Sequence, residues 1–290
     1  MQLLLSTIIL PADLDASAQI ERWRRLSGGA FDGIAIDAAK PATLQRALIE
    51  ASKRAGLRCG ELMHPFRLKQ SRPMPQLCSA DRAEREAARQ ALDASIVLAA
   101  EAAIPRLLLF CQSLALATNI DSLCQRVFED RPLPLEDLLE QRAHLIDEAM
   151  DYLRRELDCA LEQAARLEIS IALMQPAPWP HHFPNVFESD TLVGEFDGAP
   201  LETVYCTDWA HVQAQILEQP AESETASPSR FLRIADACGT TMRLPPATGE
   251  VDWSALRSLL AKADEGVLTL DPHVSADEVS QALEFLSRAS

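Results

Sequence analysis

Aromatic side chains are scarce in this 290-residue chain: Phe, Trp and Tyr make up 5% of a sequence that is 48% hydrophobic. Aliphatic residues must therefore fill the core. Basic residues are short as well, 27 Lys and Arg against 43 acids, for a formal net charge of -16. That charge repels phosphate backbones and anionic lipid, which argues against nucleic acid or a membrane surface as main partner and favours small solutes. No apolar run reaches the length of a bilayer span, and the opening "MQLLLSTIILPADLD" has no basic residue ahead of its apolar stretch. The stretch is expected to be a buried strand of a soluble, cytoplasmic, bacterial-type protein. The seven cysteines (Cys59, Cys78, Cys111, Cys124, Cys159, Cys206, Cys238) are odd in number and form no CxxC pair. This pattern suits neither a disulfide framework nor a zinc knuckle, and buried packing is the plainer role even for Cys111 and Cys206 near strand ends. No repeat of short fixed period occurs, which removes solenoids.

What is present is alternation. Short apolar runs at Leu3–Leu10, Gly33–Asp37, Arg58–His64, Arg106–Cys111, Ile169–Met174, Thr203–Thr207, Phe231–Ala235 and Val267–Asp271 read as strands buried on both faces, as in a parallel sheet. Amphipathic stretches lie between them. These include "DLDASAQIERWRRL", "PATLQRALIEASKRAGL", "SADRAEREAARQALDASIVLAAEAAI" with Ser79 as cap, a long helix from Leu135 to Leu167, a short one over Asn185–Glu195, "VDWSALRSLLAKA", and "SADEVSQALEFLSRA" with Ser275 as cap. Eight strands with interleaved helices predict one α/β domain over 1–290, a (β/α)8 barrel. Residues 112–137 are long enough to cover its mouth. The acidic, Ser/Pro-rich 218–230 is expected to be a mobile loop in the place of the sixth helix.

In a parallel barrel the functional groups sit at the C-terminal strand ends. Read in order, those ends supply Asp37, His64, Cys111, Met174, Asp208 with His211, Arg233 with Asp236, and Asp271 with His273. "DWAH" resembles the Asp-x-x-His after the sixth strand of the xylose-isomerase-like barrels, the sugar (phosphate) isomerase/epimerase group that also includes apurinic-site endonucleases. "LRIADACGTTMRLPPATGEVDWSALRSLLAKADEGVLTLD" resembles that family's closing pattern, with Ala247 where a Gly is usual, and "ALEQAARLEISIALMQPAP" resembles its fifth helix-to-strand passage.

The resemblance implies one divalent cation, manganese, magnesium or zinc, held by a Glu, an Asp, a His and a Glu at positions that are here Met174, Asp208, Arg233 and Asp271. A thioether matches a hard cation poorly, and a guanidinium has no lone pair to give. The site is therefore expected to be degenerate and no metal is expected. An alternative is a relocated zinc or iron site built around Asp208 by His64, His181, His182, His211 and His273. The expected catalytic groups are Asp271 and Asp208. The expected substrate-binding groups are His64, His211, Arg233, Asp236, His182 and Met174. Some also have a bland reading: Asp208 as a helix cap with His211 packed in its first turn, His64 as a satisfied core histidine, Arg233 as a rim arginine. Arg233 is further expected near the vacated metal position, paired with Asp208 or Asp271.

Three functions follow from the resemblance. The chain is a divergent isomerase, epimerase or lyase acting on a sugar or polyol; or a pseudoenzyme that only binds a small molecule or a protein; or an endonuclease at apurinic sites, against which the acidic charge speaks. Substrate and oligomeric state stay open.

Overall fold

The computed structural model describes residues 1–289 except 11–13, 38–41, 66, 70–71, 74, 111–113, 115, 120–121, 124, 127–128, 130, 132, 175–179, 218–229 and 240. Eight strands form its centre: β1 (Gln2–Ser6), β2 (Gly33–Ile36), β3 (Cys59–Met63), β4 (Arg106–Phe110), β5 (Ser170–Met174), β6 (Leu201–Cys206), β7 (Phe231–Ile234) and β8 (Glu265–Leu268). They lie in chain order around a closed barrel. Every neighbouring pair is parallel, and Gln2–Leu5 beside Glu265–Leu268 closes the ring. Helices α1 (Ala16–Ser27), α2 (Ala42–Arg54), α3 (Arg82–Glu101), α4 (Leu135–Arg166), α5 (Val186–Glu195), α6 (Thr207–Leu217), α7 (Trp253–Lys262) and α8 (Ala276–Ala289) follow the strands in turn. The (β/α)8 expectation holds.

Local chemistry sets the helix starts. The side chains of Asp15, Asp81 and Asp252 accept from backbone N–H groups of the first turns of α1, α3 and α7, and Asn185 with Glu188 makes a capping box at α5. Asp81, not the expected Ser79, caps α3; Ser79 instead donates to Glu84 at 2.6 Å. The strand read as Leu3–Leu10 ends at Ser6, because Thr7–Ile9 turns into a short 3-10 helix. The sixth helix is Thr207–Leu217, directly after β6, so it is not replaced by 218–230; the loop reading of that segment falls outside the described residues up to Arg230.

Two apolar layers follow from strand alternation, since successive side chains point to opposite faces. Outward residues such as Leu5, Ile34, Leu62, Leu107, Leu173, Leu232 and Leu268 join the helices in the largest buried cluster. Inward residues form two smaller clusters, one around Met63, Leu108, Ala172, Met174, Val204 and Cys206, the other of Leu4, Ala35 and Val267. Charged residues also point inward. Arg106 at the foot of β4 pairs with Glu265 of the opposed β8, with Glu202 of β6 at 2.9 Å and with Glu61 of β3 at 4.0 Å. Its guanidinium also lies over the Phe231 ring, 3.4 Å from the centroid. Higher up, Glu61 accepts from Arg233 of the opposed β7 at 2.6 Å, and Arg233 reaches Asp37 beyond β2 at 3.2 Å. Arg233, Asp37 and Glu61 expose 2–3% of their side chains.

Removing one partner of such a buried pair leaves a charge without compensation, which costs about 3–5 kcal/mol. Arg233→Met is expected to lower unfolding stability by that order, because Asp37 and Glu61 lose their shared cation. Glu202→Met should cost much less, since Glu202 is partly exposed and Arg106 keeps two carboxylates. Chemical denaturation of both variants checks the ranking, and equal losses would refute it.

Candidate functional site

A cavity of about 130 Å³ opens at the C-terminal ends of the strands. Its polar groups are Asp37, Asp208, Arg233, Arg243 and Thr269; Ile8, Met63, Phe110, Met174, Cys206 and Trp209 complete the lining. Asp37 follows β2 and Asp208 follows β6, strands four places apart in the ring of eight, so the two carboxylates approach from opposite sides.

Asp208 is the second residue of α6. Its carboxylate accepts from the backbone N–H of Trp209 at 2.9 Å and from that of Arg243. Burial pushes its pKa above the ordinary carboxylate range, against the pull of those donors and of the Arg243 and Arg233 guanidinium groups. Thr207 pins the strand end below it, accepting from the Ala235 N–H of β7's extension at 2.9 Å and donating to the Ala235 carbonyl at 2.5 Å. Asp37 is fixed by Arg233, by Ser6 Oγ at 3.4 Å, and through its own N–H, which donates to Thr7 Oγ1 at 2.8 Å. Burial raises the pKa of Glu61 below, while Arg233 and Arg106 pull it down.

Arg243 comes from a hairpin after β7, in which Asp236–Cys238 pairs antiparallel with Thr241–Leu244. Its φ of +64° and that of Ala247, +68°, lie in the left-handed region that favours Gly. Asp236, fully buried, holds this hairpin to α7: it accepts from the N–H of Ala237 at 2.8 Å, the N–H of Val251 at 3.0 Å and the indole N–H of Trp253 at 2.9 Å. Gly249 is required beside it, because a Cβ there would collide with the Ala237 carbonyl and the Asp236 carboxylate.

Of the residues expected to act, Asp208, Arg233 and Met174 line the cavity. Asp236 does not, since its acceptor capacity serves the hairpin. Asp271 does not either. Strand β8 begins at Glu265, earlier than its acidic start suggests, so Thr269 takes the mouth position and Asp271 caps the next turn, accepting from the His273 N–H at 2.9 Å. His64 follows inward Met63 and turns outward, its Nδ1 2.9 Å from Ser95 Oγ of α3. His211 sits on α6, 3.7 Å from Glu250. His181 bonds the Thr118 carbonyl, and the His182 carbonyl accepts from Arg142 at 3.5 Å. Arg233 lies at the mouth, but its partners are Asp37 and Glu61 and not the expected Asp208 or Asp271. The reason is height along the axis: Glu61 is the next inward residue below Met63, directly across from β7. Arg243, Thr269 and Asp37 are the polar cavity residues that the strand-end reading left without a role. Alternation from Val267 would have found Thr269.

Parallel strands closed in this order, with their C-terminal ends around a polar cavity, define a (β/α)8 barrel whose site lies at the usual face of that fold. The chain belongs to the xylose isomerase-like TIM barrel family, whose model matches residues 25–289. Its fold is similar to a D-tagatose 3-epimerase-like protein (TM-score 0.71, 13% identity, 100% of this chain and 97% of that one). It is also similar to D-allulose 3-epimerase from Methylomonas sp. in complex with D-allulose (0.67, 14%, 100% and 97%). A third likeness is to 3-keto-D-glucoside 4-epimerase from E. coli (0.66, 13%, 99% and 99%). No curated protein matches by sequence.

The cation positions implied by the family do not assemble a hard-cation site here. Met174 offers sulfur, Arg233 is a cation already bound to two carboxylates, and Asp271 is turned away from the cavity. Among the described residues, no three His, Cys, Asp or Glu side chains are gathered so as to hold a metal ion. Cys59, Cys78, Cys159, Cys206 and Cys238 are free thiols; Cys111 and Cys124 lie outside the described residues. No described helix is long and apolar enough to cross a membrane.

Burial lowers the pKa of His64 from 6.5 to about 4. A lowered folded-state value contributes stability that is present above pH 6.5 and is lost as pH falls toward 4, by up to about 3 kcal/mol. Between pH 7 and 4 the parent should therefore lose more stability than His64→Phe, which has nothing to titrate there. Urea midpoints across that range check this, and parallel acid sensitivity of the two proteins would contradict it.

Proposed function

We propose that the barrel mouth binds a small polyhydroxy compound, and that the chain is a divergent sugar isomerase or epimerase working there without a divalent cation at the family's metal position. The observation that carries this reading is one cavity in which Asp37 and Asp208 come from opposite sides with Arg233, Arg243 and Thr269 alongside. Asp208 is the proton carrier: it borders the cavity, and its raised pKa brings it closer to the working range of a general acid or base. Arg243, for which no carboxylate lies within ion-pair distance among the described residues, orients the ligand and with Arg233 supplies positive charge toward a developing oxyanion. The neighbours of known activity are sugar epimerases, one of them seen with D-allulose, which supports a polyol at this mouth.

A second reading is favoured by β5, where Met174 occupies the place of a carboxylate and offers no proton carrier. On that reading the barrel binds the compound and catalyses nothing. A histidine-built metal site is less well supported, since His64, His181 and His211 are each engaged with separate elements.

Incubating the protein with ketoses and aldoses in D2O and following the hydrogen next to the carbonyl by NMR separates the readings. Exchange should occur, should be unaffected by chelator or added manganese, and should fall by about 10²–10⁴-fold in Asp208→Asn. Binding without exchange would leave the second reading. Exchange that requires metal, or stoichiometric manganese or zinc retained on the purified protein, would overturn the metal-free site.

A further inference from the structure

The cavity is two-sided in a way that the strand order makes systematic. Met63, Phe110, Met174 and Cys206 are the uppermost inward residues of β3, β4, β5 and β6, four consecutive strands of the ring. They belong to one apolar cluster, with Trp209 packed against it just beyond β6. Thioether sulfur is a weak acceptor and a thiol a weak donor, so among the described residues the side chains of this arc, apart from the indole N–H, offer a hydroxyl almost nothing to bond. The burial of Cys206 adds to this, pushing its thiol pKa well above the usual value and keeping it uncharged. The strong hydrogen-bonding groups lie on the rest of the rim: Asp208 at the β6–α6 junction, Arg233 and Arg243 from β7 and its hairpin, Thr269 after β8 and Asp37 after β2.

Both arcs line the same cavity, so a ligand that fills it touches both. A hydroxyl directed at β3–β6 would lose its bonds to water without replacement. We infer that the compound held at this mouth carries hydrocarbon on one flank and hydroxyls on the other, as a deoxy sugar or a partly hydroxylated carbocycle does. This inference rests on the polyol reading above and narrows its substrate class.

Matched pairs that differ by a single hydroxyl test it on the full chain, by calorimetric titration with tryptophan fluorescence as a second readout. L-fucose against L-galactose and L-rhamnose against L-mannose form the sugar arm; a deoxyinositol against its parent inositol forms the ring arm. In at least one pair the deoxy member should bind about tenfold more tightly, and the arm in which this occurs tells a deoxy sugar from a ring. Met174→Gln, which puts an amide on the apolar arc, should shrink or reverse that preference, and Cys206→Ser does the same should the first variant not fold. Equal or tighter binding of the hydroxylated member in every pair that binds would overturn the inference while leaving the polyol reading intact, as would an unchanged preference in the folded variants. If no member of any pair binds, the polyol reading fails and this inference falls with it.

Discussion

Arg233 and Asp37 are set at the mouth by a column of buried charge inside the barrel. Arg106 and Arg233 share Glu61 between them, Arg106 takes Glu265 and Glu202 below, and Arg233 takes Asp37 above. A barrel interior is ordinarily a packed stack of branched aliphatic side chains. Here two cations and four anions stand in that stack, and desolvating each is expensive unless the partners stay within reach. Two of the contacts span opposed strands, β3 to β7 and β4 to β8, so they hold only in the closed ring. The column therefore ties barrel closure to the position of the Arg233 guanidinium.

That coupling sets what residue 233 presents to the cavity. A cation ligand has to present lone pairs to the cavity, whereas residue 233 presents a positive charge whose hydrogen bonds run down into Glu61 and sideways to Asp37. The carboxylates that would repel one another around an empty mouth are instead divided. Asp37 and Glu61 are held by Arg233, and Asp208 is held by backbone N–H groups of α6 and the hairpin. Fixed charge from a guanidinium is weaker than that of a divalent ion, but it is permanent and geometrically directed.

The sequence made the strands legible because their apolar runs are short, continuous and evenly spaced, and it placed Met174, Asp208 and Arg233 at the mouth because each ends such a run. Side-chain direction was harder. His64 is one residue past Met63, and a shift of one residue reverses the face, so a histidine at a strand end became a contact for Ser95 of α3. Asp271 was misplaced by the opposite effect: Glu265 and Gly266 do not look like the start of a buried strand, yet Glu265 is buried against Arg106. The partners of Arg233 were illegible for a plainer reason. An ion pair between residues 61 and 233 crosses the barrel between strands that are not neighbours in the sheet, and no local pattern reports it. A charged residue inside each of "CGELM", "PRLLLF" and "FLRI" was nonetheless a visible sign that something inside had to neutralise it.

The backbone at the mouth takes shapes that its own side chains do not favour. Ala247 holds a left-handed φ of +68° where a glycine would sit without strain, and Asp236 with Gly249 still locks the hairpin against α7. Scaffold and chemistry are thus separable here, and the chemistry cannot be altered one residue at a time. A carboxylate at position 174 alone would enter the apolar arc beside Phe110 and Cys206. A histidine at position 233 alone would remove the guanidinium that pairs with Asp37 at 3.2 Å and would leave Glu61 with Arg106 at 4.0 Å. Arg233 is therefore one linked arrangement with Asp37, Glu61 and Arg106, and changing it alone unbalances two buried carboxylates at once.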